Sequence, residues 1–345
     1  MRNTTQKPLP SLEMVLKSYP LTMSLEKQVQ QDRTEIQAIL AGKDSRLLII
    51  VGPCSAWPFQ AVLAYAERLA ALSQAIKDSV KIVMRVYTQK SRTRLGWRGA
   101  LIQPDPFLPE DITAGIFSVR KLMRDIVQLG LPIVDEIVST HLSKYSIDLL
   151  SYATIGARSS ENQEHRIFAS LLDCAVGLKN PTHGELSVAV NSVYVAQQAH
   201  AAAFFDSEIK TTGNSFAHLI LRGSNACENY SEKYLDEVLH YFNQLKITHP
   251  AVLIDASHDN SLINNTRNPY HQEIVINHVM KIMHDNKKIK KIVKGFMIES
   301  FLLAGRQNLS QPINLNGLSI TDACLDWEET EKLLLKISRL ICHAH

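Results

Sequence analysis

The sequence has no cysteine framework. Cys54, Cys174, Cys227, Cys324 and Cys342 are scattered, odd in number and form no CxxC pair, which excludes a disulfide scaffold. A dominant charge is missing too. The 37 basic residues face 34 acidic ones and leave a net +3, without the concentrated basic excess of a nucleic-acid surface. No apolar run approaches the ~18 residues of a membrane span. Met1 to Pro20 is polar and proline-interrupted, with no signal-peptide core. The glycine fingerprint G-x-G-x-x-G and the phosphate loop G-x-x-x-x-G-K-[ST] are both absent, which removes the sequence argument for a dinucleotide or P-loop fold. There is no internal repeat and no low-complexity segment. What remains is 45% hydrophobic residues over a chain of 345, enough for a large core. The sequence reads as a soluble, reduced, cytoplasmic enzyme with no nucleic-acid or membrane partner.

Residues 1–45 read as a helical N-terminal extension and 46–345 as the catalytic domain. A short helix over 11–17 stops at Tyr19-Pro20. A second, over 26–41, carries Val29, Ile36, Ile39 and Leu40 on its apolar side, with Gly42 as its stop. From residue 47 a regular alternation begins. Apolar runs at 47–51, 81–87, 132–138, 153–157, 175–179, 218–222, 251–255 and 292–299 read as strands buried on both faces. Helical patterns follow them at 59–77, 113–129, 142–150, 162–172, 185–199, 231–245, 271–284 and 327–341. Eight strand–helix units predict an α/β chain folded as a (β/α)8 TIM barrel, with an open doubly wound sheet as the alternative.

Nearly every strand ends on an ionisable residue, and a barrel would turn all of these ends towards one mouth. Arg85, Lys90, Arg92, Arg158, Lys179 and Arg222 form a cationic set. Arginine forks match carboxylates and phosphates, while lysine supplies a point charge. The set therefore points to more than one anionic group, such as a phosphorylated acid and a phosphorylated sugar. Salt bridges around the mouth are the plainer alternative, but too few acidic residues stand at the same positions to pair with all six. Cys54, His258, Glu299 and Asp322 together suit a divalent transition metal. Their spacing gives no support for it, since only a closed barrel would join them. A lone cysteine is more often a small core residue, and a lone histidine more often hydrogen-bonded structure.

The residues at these strand ends resemble one family. Gly52-Pro53-Cys54-Ser55, Met84-Arg85-Val86-Tyr87 and Lys90-Ser91-Arg92-Thr93 with Gly96-Trp97 come first. Ile155-Gly156-Ala157-Arg158, Gly177-Leu178-Lys179-Asn180 and Ile220-Leu221-Arg222-Gly223 follow. Ile254-Asp255-Ala256-Ser257-His258, Met297-Ile298-Glu299-Ser300 and Ser319-Ile320-Thr321-Asp322-Ala323-Cys324 complete the set. In this order the chain resembles the type I 3-deoxy-D-arabino-heptulosonate 7-phosphate (DAHP) synthases of the bacterial and yeast kind, from about Leu12 to Leu340. The resemblance implies a (β/α)8 transferase that condenses phosphoenolpyruvate with erythrose 4-phosphate, releases phosphate and opens the shikimate route to aromatic amino acids. It implies a divalent metal on Cys54, His258, Glu299 and Asp322, manganese first, with iron, cobalt or zinc as alternatives. Arg85, Lys90, Arg158, Lys179 and Arg222 would cradle phosphoenolpyruvate, and Arg92 and Thr93 would anchor the aldose phosphate. Lys90, His258 and Cys54 are the implied catalytic residues, Lys90 for proton traffic. By the same analogy the protein is a homodimer or homotetramer with the N-terminal segment in the contact.

The chain departs from that family in three loops. Ala56-Trp57-Pro58 replaces Ile-His-Asp, Ser91 replaces a proline, and Ile102-Gln103-Pro104 replaces Asn-Asp-Pro. These changes bear on the aldose more than on phosphoenolpyruvate, and a related synthase using another aldose phosphate is the alternative. A non-catalytic barrel would have lost ionic or metal positions, and none is lost. A Schiff-base aldolase acting through Lys179 suits the surrounding cations poorly. In the family a β-hairpin between the fifth and sixth strands helps form an aromatic amino-acid inhibitor site. Here residues 200–214 are alanine-rich and shorter than that pattern, and the N-terminal segment lacks a matching acidic start, so feedback inhibition is expected to be weak or absent.

Overall fold

The computed structural model describes residues 7–224, 227–310 and 312–342. Eight strands, β1 (Leu47–Gly52), β2 (Val80–Arg85), β3 (Ile133–Glu136), β4 (Tyr152–Ile155), β5 (Ala175–Lys179), β6 (Ala217–Leu221), β7 (Val252–Asp255) and β8 (Val293–Glu299), are all parallel. They close in sequence order, with β1 paired to β8 through Ile50 opposite Met297. The open-sheet alternative is thereby excluded.

The apolar runs carry two cores at once. Successive side chains of a strand face opposite ways, so Leu48 and Ile50 of β1 point into the barrel with Val83, Val134, Tyr152, Ile220, Leu253 and Met297. Leu47, Ile49 and Val51 face the surrounding helices instead. Gly295 permits closure, because a Cβ there would stand 1.7 Å from the Leu48 carbonyl oxygen.

The helix Met23–Leu40 stoppers the N-terminal end of the barrel. Ile36, Ile39 and Leu40 join the interior cluster. Around them Gln28, Arg33 and Gln37 donate to the carbonyls of Val127, Leu150 and Asp173, and Lys81 pairs with Asp32 at 2.7 Å and Glu35 at 2.9 Å. The helix begins at Met23 rather than 26, because the Thr22 hydroxyl caps it by accepting from Leu25 N–H. The pattern over 142–150 yields only the short turn of helix Thr140–Ser143. Beyond it the Ser143 and Ser146 hydroxyls bond back to the carbonyls of Thr140 and Ser143, competing with helix propagation.

Two small hairpins stand outside the barrel, the first in the stretch where the resemblance placed a shortened one, the second not anticipated. Ala201–Phe204 pairs with Ser207–Lys210 across a Phe205-Asp206 turn, and Leu262–Ile263 pairs with Thr266–Arg267 across Asn264-Asn265. All four turn residues have positive φ, between 49° and 61°, the conformation of two-residue hairpin loops.

Inside the barrel His218 meets the Tyr152 hydroxyl at 2.6 Å through Nε2 and the Phe216 carbonyl at 2.8 Å through Nδ1. The carbonyl fixes the proton on Nδ1, so Nε2 accepts. Burial pulls this imidazole down from 6.5 to about 4. The folded protein therefore binds fewer protons than the unfolded chain between those values. The stability this group supplies is present above pH 6.5 and is lost, by roughly 3 kcal/mol, as pH falls to 4. Urea unfolding of His218→Asn should show a shallower loss of stability over that pH range than the wild type; equal slopes would contradict the assignment.

Candidate active site

The C-terminal ends of the strands bring the charged residues together. Cys54 follows β1, Arg85 and Glu136 end β2 and β3, Arg158 follows β4, Lys179 ends β5, and Arg222 follows β6. Asp255 ends β7, His258 opens the 3-10 turn His258–Ser261, and Glu299 ends β8. Asp322 arrives differently. After β8 the chain folds back on itself through bridges Ser300–Leu325, Gly305–Cys324 and Arg306–Ser319. The Ser55 and Thr321 hydroxyls, 3.0 Å apart, then dock that segment beside β1.

The Cys54 sulfur and one oxygen each from Glu299 and Asp322 lie within 4.8 Å of one another. His258 stands at the edge of this group, with Nε2 3.7 Å from Glu299 Oε1 and Nδ1 2.9 Å from Asp255 Oδ2. Three carboxylates thus crowd one imidazole and one thiol. That donor set suits a first-row divalent ion, whose charge would neutralise the crowding. Burial and Glu299 push the Cys54 thiol up to about 11, with Lys90 opposing them. Burial would raise the Asp322 carboxyl as well, but His258, Arg267 and Lys90 outweigh it and hold it at about 2.

The cations divide into floor and rim. On the floor, buried Arg85 donates from Nη2 to Glu299 Oε1 at 2.9 Å and lies over the Tyr87 ring. Its Nε and Nη1 are buried with no hydrogen-bond partner. Lys179 pairs with Asp255 at 2.9 Å and Arg222 with Asp259 at 2.6 Å, all buried. Lys90 reaches back to the Cys54 carbonyl oxygen and lies 3.1 Å from its sulfur. On the exposed rim Arg158 donates to the Thr93 hydroxyl at 2.9 Å, and Arg92 to the Trp97 carbonyl at 2.8 Å. Acidic partners are too few for all six cations, as expected: Glu299, Asp255 and Asp259 hold Arg85, Lys179 and Arg222, and among the described residues Lys90, Arg92 and Arg158 bond to a backbone carbonyl or a hydroxyl instead. Asp259 lies one residue past the strand-end motif, and Glu299 had been weighed as a metal ligand.

Several contributors had no role in the sequence reading. Asp255 links Lys179 to His258, and the Ser257 hydroxyl donates to Glu299 Oε2 at 2.8 Å. Glu136 lies against Gly156, where a Cβ would stand 2.5 Å from its Oε1. Arg267 enters from the second small hairpin. Asn264-Asn265, a pair that tolerates positive φ, was the signal that could have located it. Lys90, Arg92, Thr93, Glu136, Arg158, Arg222, His258, Arg267 and Asp322 border a cavity of about 350 Å³. Of the loop residues that depart from the family pattern, Trp57 packs edge-on to Phe107, and Gln103 donates to the Leu108 carbonyl while accepting from the Trp97 indole through its own carbonyl, whereas Ser91 borders the cavity.

Among the described residues no helix is long and apolar enough to cross a membrane. A family model described as the DAHP synthetase I family matches residues 24–335. A phospho-2-dehydro-3-deoxyheptonate aldolase of Salmonella typhimurium, named Tyr-sensitive, is 37% identical over 98% of this chain and 95% of its own length. A phospho-2-dehydro-3-deoxyheptonate aldolase of Corynebacterium glutamicum, whose name states no sensitivity, is 36% identical over 96% of this chain and 92% of its own. The solved structure of the Francisella tularensis enzyme superposes with a TM-score of 0.91 at 32% identity, covering 99% of this chain and 98% of that one.

Proposed function

From the premise that this chain belongs to the DAHP synthetase I family, we propose that it condenses phosphoenolpyruvate with erythrose 4-phosphate and water to DAHP and phosphate, the first step of the shikimate pathway. The observation that carries this reading is Arg85: a buried guanidinium whose Nε and Nη1 have no hydrogen-bond partner, beside a thiol–carboxylate cluster, has the donors to hold an anion. Phosphoenolpyruvate binds to Arg85, Lys90, Arg158, Lys179 and Arg222, displacing carboxylate partners from some of them. Arg92 and Thr93 at the rim hold the aldose phosphate. Cys54, His258, Glu299 and Asp322 hold a divalent ion, manganese first. When bound, that ion supplies Lewis-acid polarisation of the aldehyde. The cations hold two anions together against their repulsion, a positioning and electrostatic role. The methylene carbon of phosphoenolpyruvate attacks the aldehyde carbon, and Lys90 gives a proton to the aldehyde oxygen. Water adds at the carbon bearing phosphate, and phosphate leaves with the C–O bond electrons as the ketone forms; of the water's two protons one returns to Lys90 and the other goes to the departing phosphate.

The test is phosphate release from phosphoenolpyruvate. It should need erythrose 4-phosphate, stop with EDTA and return with Mn²⁺. Release only with ribose 5-phosphate or arabinose 5-phosphate would assign the protein to the neighbouring aldose class. No release with any aldose would overturn the enzyme reading. The exposed apolar side chains Leu9, Leu12, Met14 and Met23 support a homodimer or homotetramer through the N-terminal segment. The free cysteines support a reducing, cytoplasmic compartment.

Relatives are named for sensitivity to tyrosine, tryptophan or phenylalanine. For this chain we infer weak or absent inhibition, supported by the short hairpin whose Ala201 and Ala203 offer little contact surface. Against this stands a hollow of about 730 Å³ between hairpin and N-terminal helix, lined by Leu21, Met23, Leu171, Phe205 and Ile209 among others. In the same assay, activity should persist with each aromatic amino acid; strong inhibition by any one would decide for the second reading.

A further inference from the structure

The hairpin Leu262–Ile263/Thr266–Arg267 places a seventh cation at the mouth. Arg267 donates to Asp259 Oδ1 from Nη2 at 2.9 Å and from Nε at 3.3 Å, and to Asp322 Oδ1 from Nη1 at 3.1 Å. Asp259 is itself shared, because its other oxygen takes Arg222 at 2.6 Å. Asp322 is shared in the same way, with Oδ2 facing the Cys54 sulfur at 3.6 Å. The result is a continuous line, Arg222–Asp259–Arg267–Asp322–Cys54. It runs from the anion floor to the thiol–carboxylate cluster.

We propose that Arg267 is a positioning residue that ties the metal carboxylate Asp322 to the substrate-binding Arg222 through Asp259. The proposal rests on the functional reading above. Its physical basis is the division of labour between carboxylate oxygens. By occupying Oδ1 of Asp322, Arg267 leaves Oδ2 turned towards the sulfur as the oxygen that would hold the ion. By sharing Asp259, it draws negative charge away from Arg222. Without it Asp259 would bind Arg222 alone and compete more strongly with an incoming phosphate or carboxylate. A planar fork can span two carboxylates at once, which an ammonium cannot. Arg267 is partly exposed, with 36% of its side-chain surface accessible, so its truncation leaves no sealed charge in the core.

The test is binding to EDTA-stripped protein by titration calorimetry, with no turnover required. Arg267→Ala should weaken Mn²⁺ about tenfold and weaken phosphoenolpyruvate as well, with an unchanged thermal midpoint. Arg267→Lys should restore part of one affinity but not both. A double-mutant cycle of Asp259→Asn with Arg267→Ala should be non-additive for phosphoenolpyruvate. Mn²⁺ and phosphoenolpyruvate affinities within about twofold of wild type, or an additive cycle, would overturn the proposal. Because these are binding measurements, they stand apart from the functional reading. A wild type without turnover would sink that reading while the cycle still tested the line of contacts.

Discussion

Cys54→Ala protein is expected to lose at least about a thousandfold in turnover, since a bound divalent ion contributes several kcal/mol to the transition state and each 1.36 kcal/mol is tenfold in rate. The sulfur lies between Lys90 and Asp322, and no other described side chain offers a thiolate there. Cys324 is buried nearby, but its sulfur bonds to the Asp322 carbonyl rather than joining the cluster. Losing one sulfur from a buried position costs the fold little. The signature is therefore a dead enzyme with near-normal unfolding that no longer takes up Mn²⁺ by calorimetry. Retention of metal uptake and turnover would mean that the two carboxylates and His258 suffice.

Arg85→Ala should fail differently, in binding and stability together. Its two unpartnered N–H groups are the phosphoenolpyruvate donors in this reading. Charge-assisted hydrogen bonds are worth roughly 1.5–3 kcal/mol each, so KM should rise by about a hundredfold or more. The same change strips Glu299 of a buried partner 2.9 Å away, a loss of about 3–5 kcal/mol of stability. Burial would raise Glu299, but His258 and Arg85 outweigh it and hold the carboxyl below its ordinary range. A lowered value stabilises the fold above the unfolded-chain value, and that stabilisation is lost as pH falls through the folded one. The variant should therefore lose part of the wild type's acid sensitivity in urea unfolding of stripped protein. Arg85→Lys, which keeps a charge but not the fork, should recover stability more than KM. Equal recovery of both would argue that only the charge matters.

The eight strands were legible because two-face burial writes an uninterrupted apolar run, such as Leu48 to Val51, that no surface strand would show. That the candidate site residues gather at one mouth was legible because a parallel barrel turns every strand end to one side. The pairing of those ends was not legible. Arg85 meets Glu299 214 residues later, and Lys179 meets Asp255 76 residues later; both partnerships exist only once the ring has closed. Arg222 and Asp259 are nearer in sequence, 37 residues apart, yet a loop residue one position past the strand-end motif carried no pattern to flag it. The hairpin bearing Arg267 is only two residues per strand, too short for alternation to be read. Its evidence was the Asn264-Asn265 turn alone.

The stoppered end of the barrel also sets a timetable for the newborn chain. Ile36, Ile39 and Leu40 are made more than 250 residues before Val293–Glu299, the strand that completes the ring of the chamber they fill. At about 5–20 residues per second, that interval is on the order of tens of seconds. Throughout it the apolar side of this helix and one edge of β1 lack the partners that the closed barrel gives them.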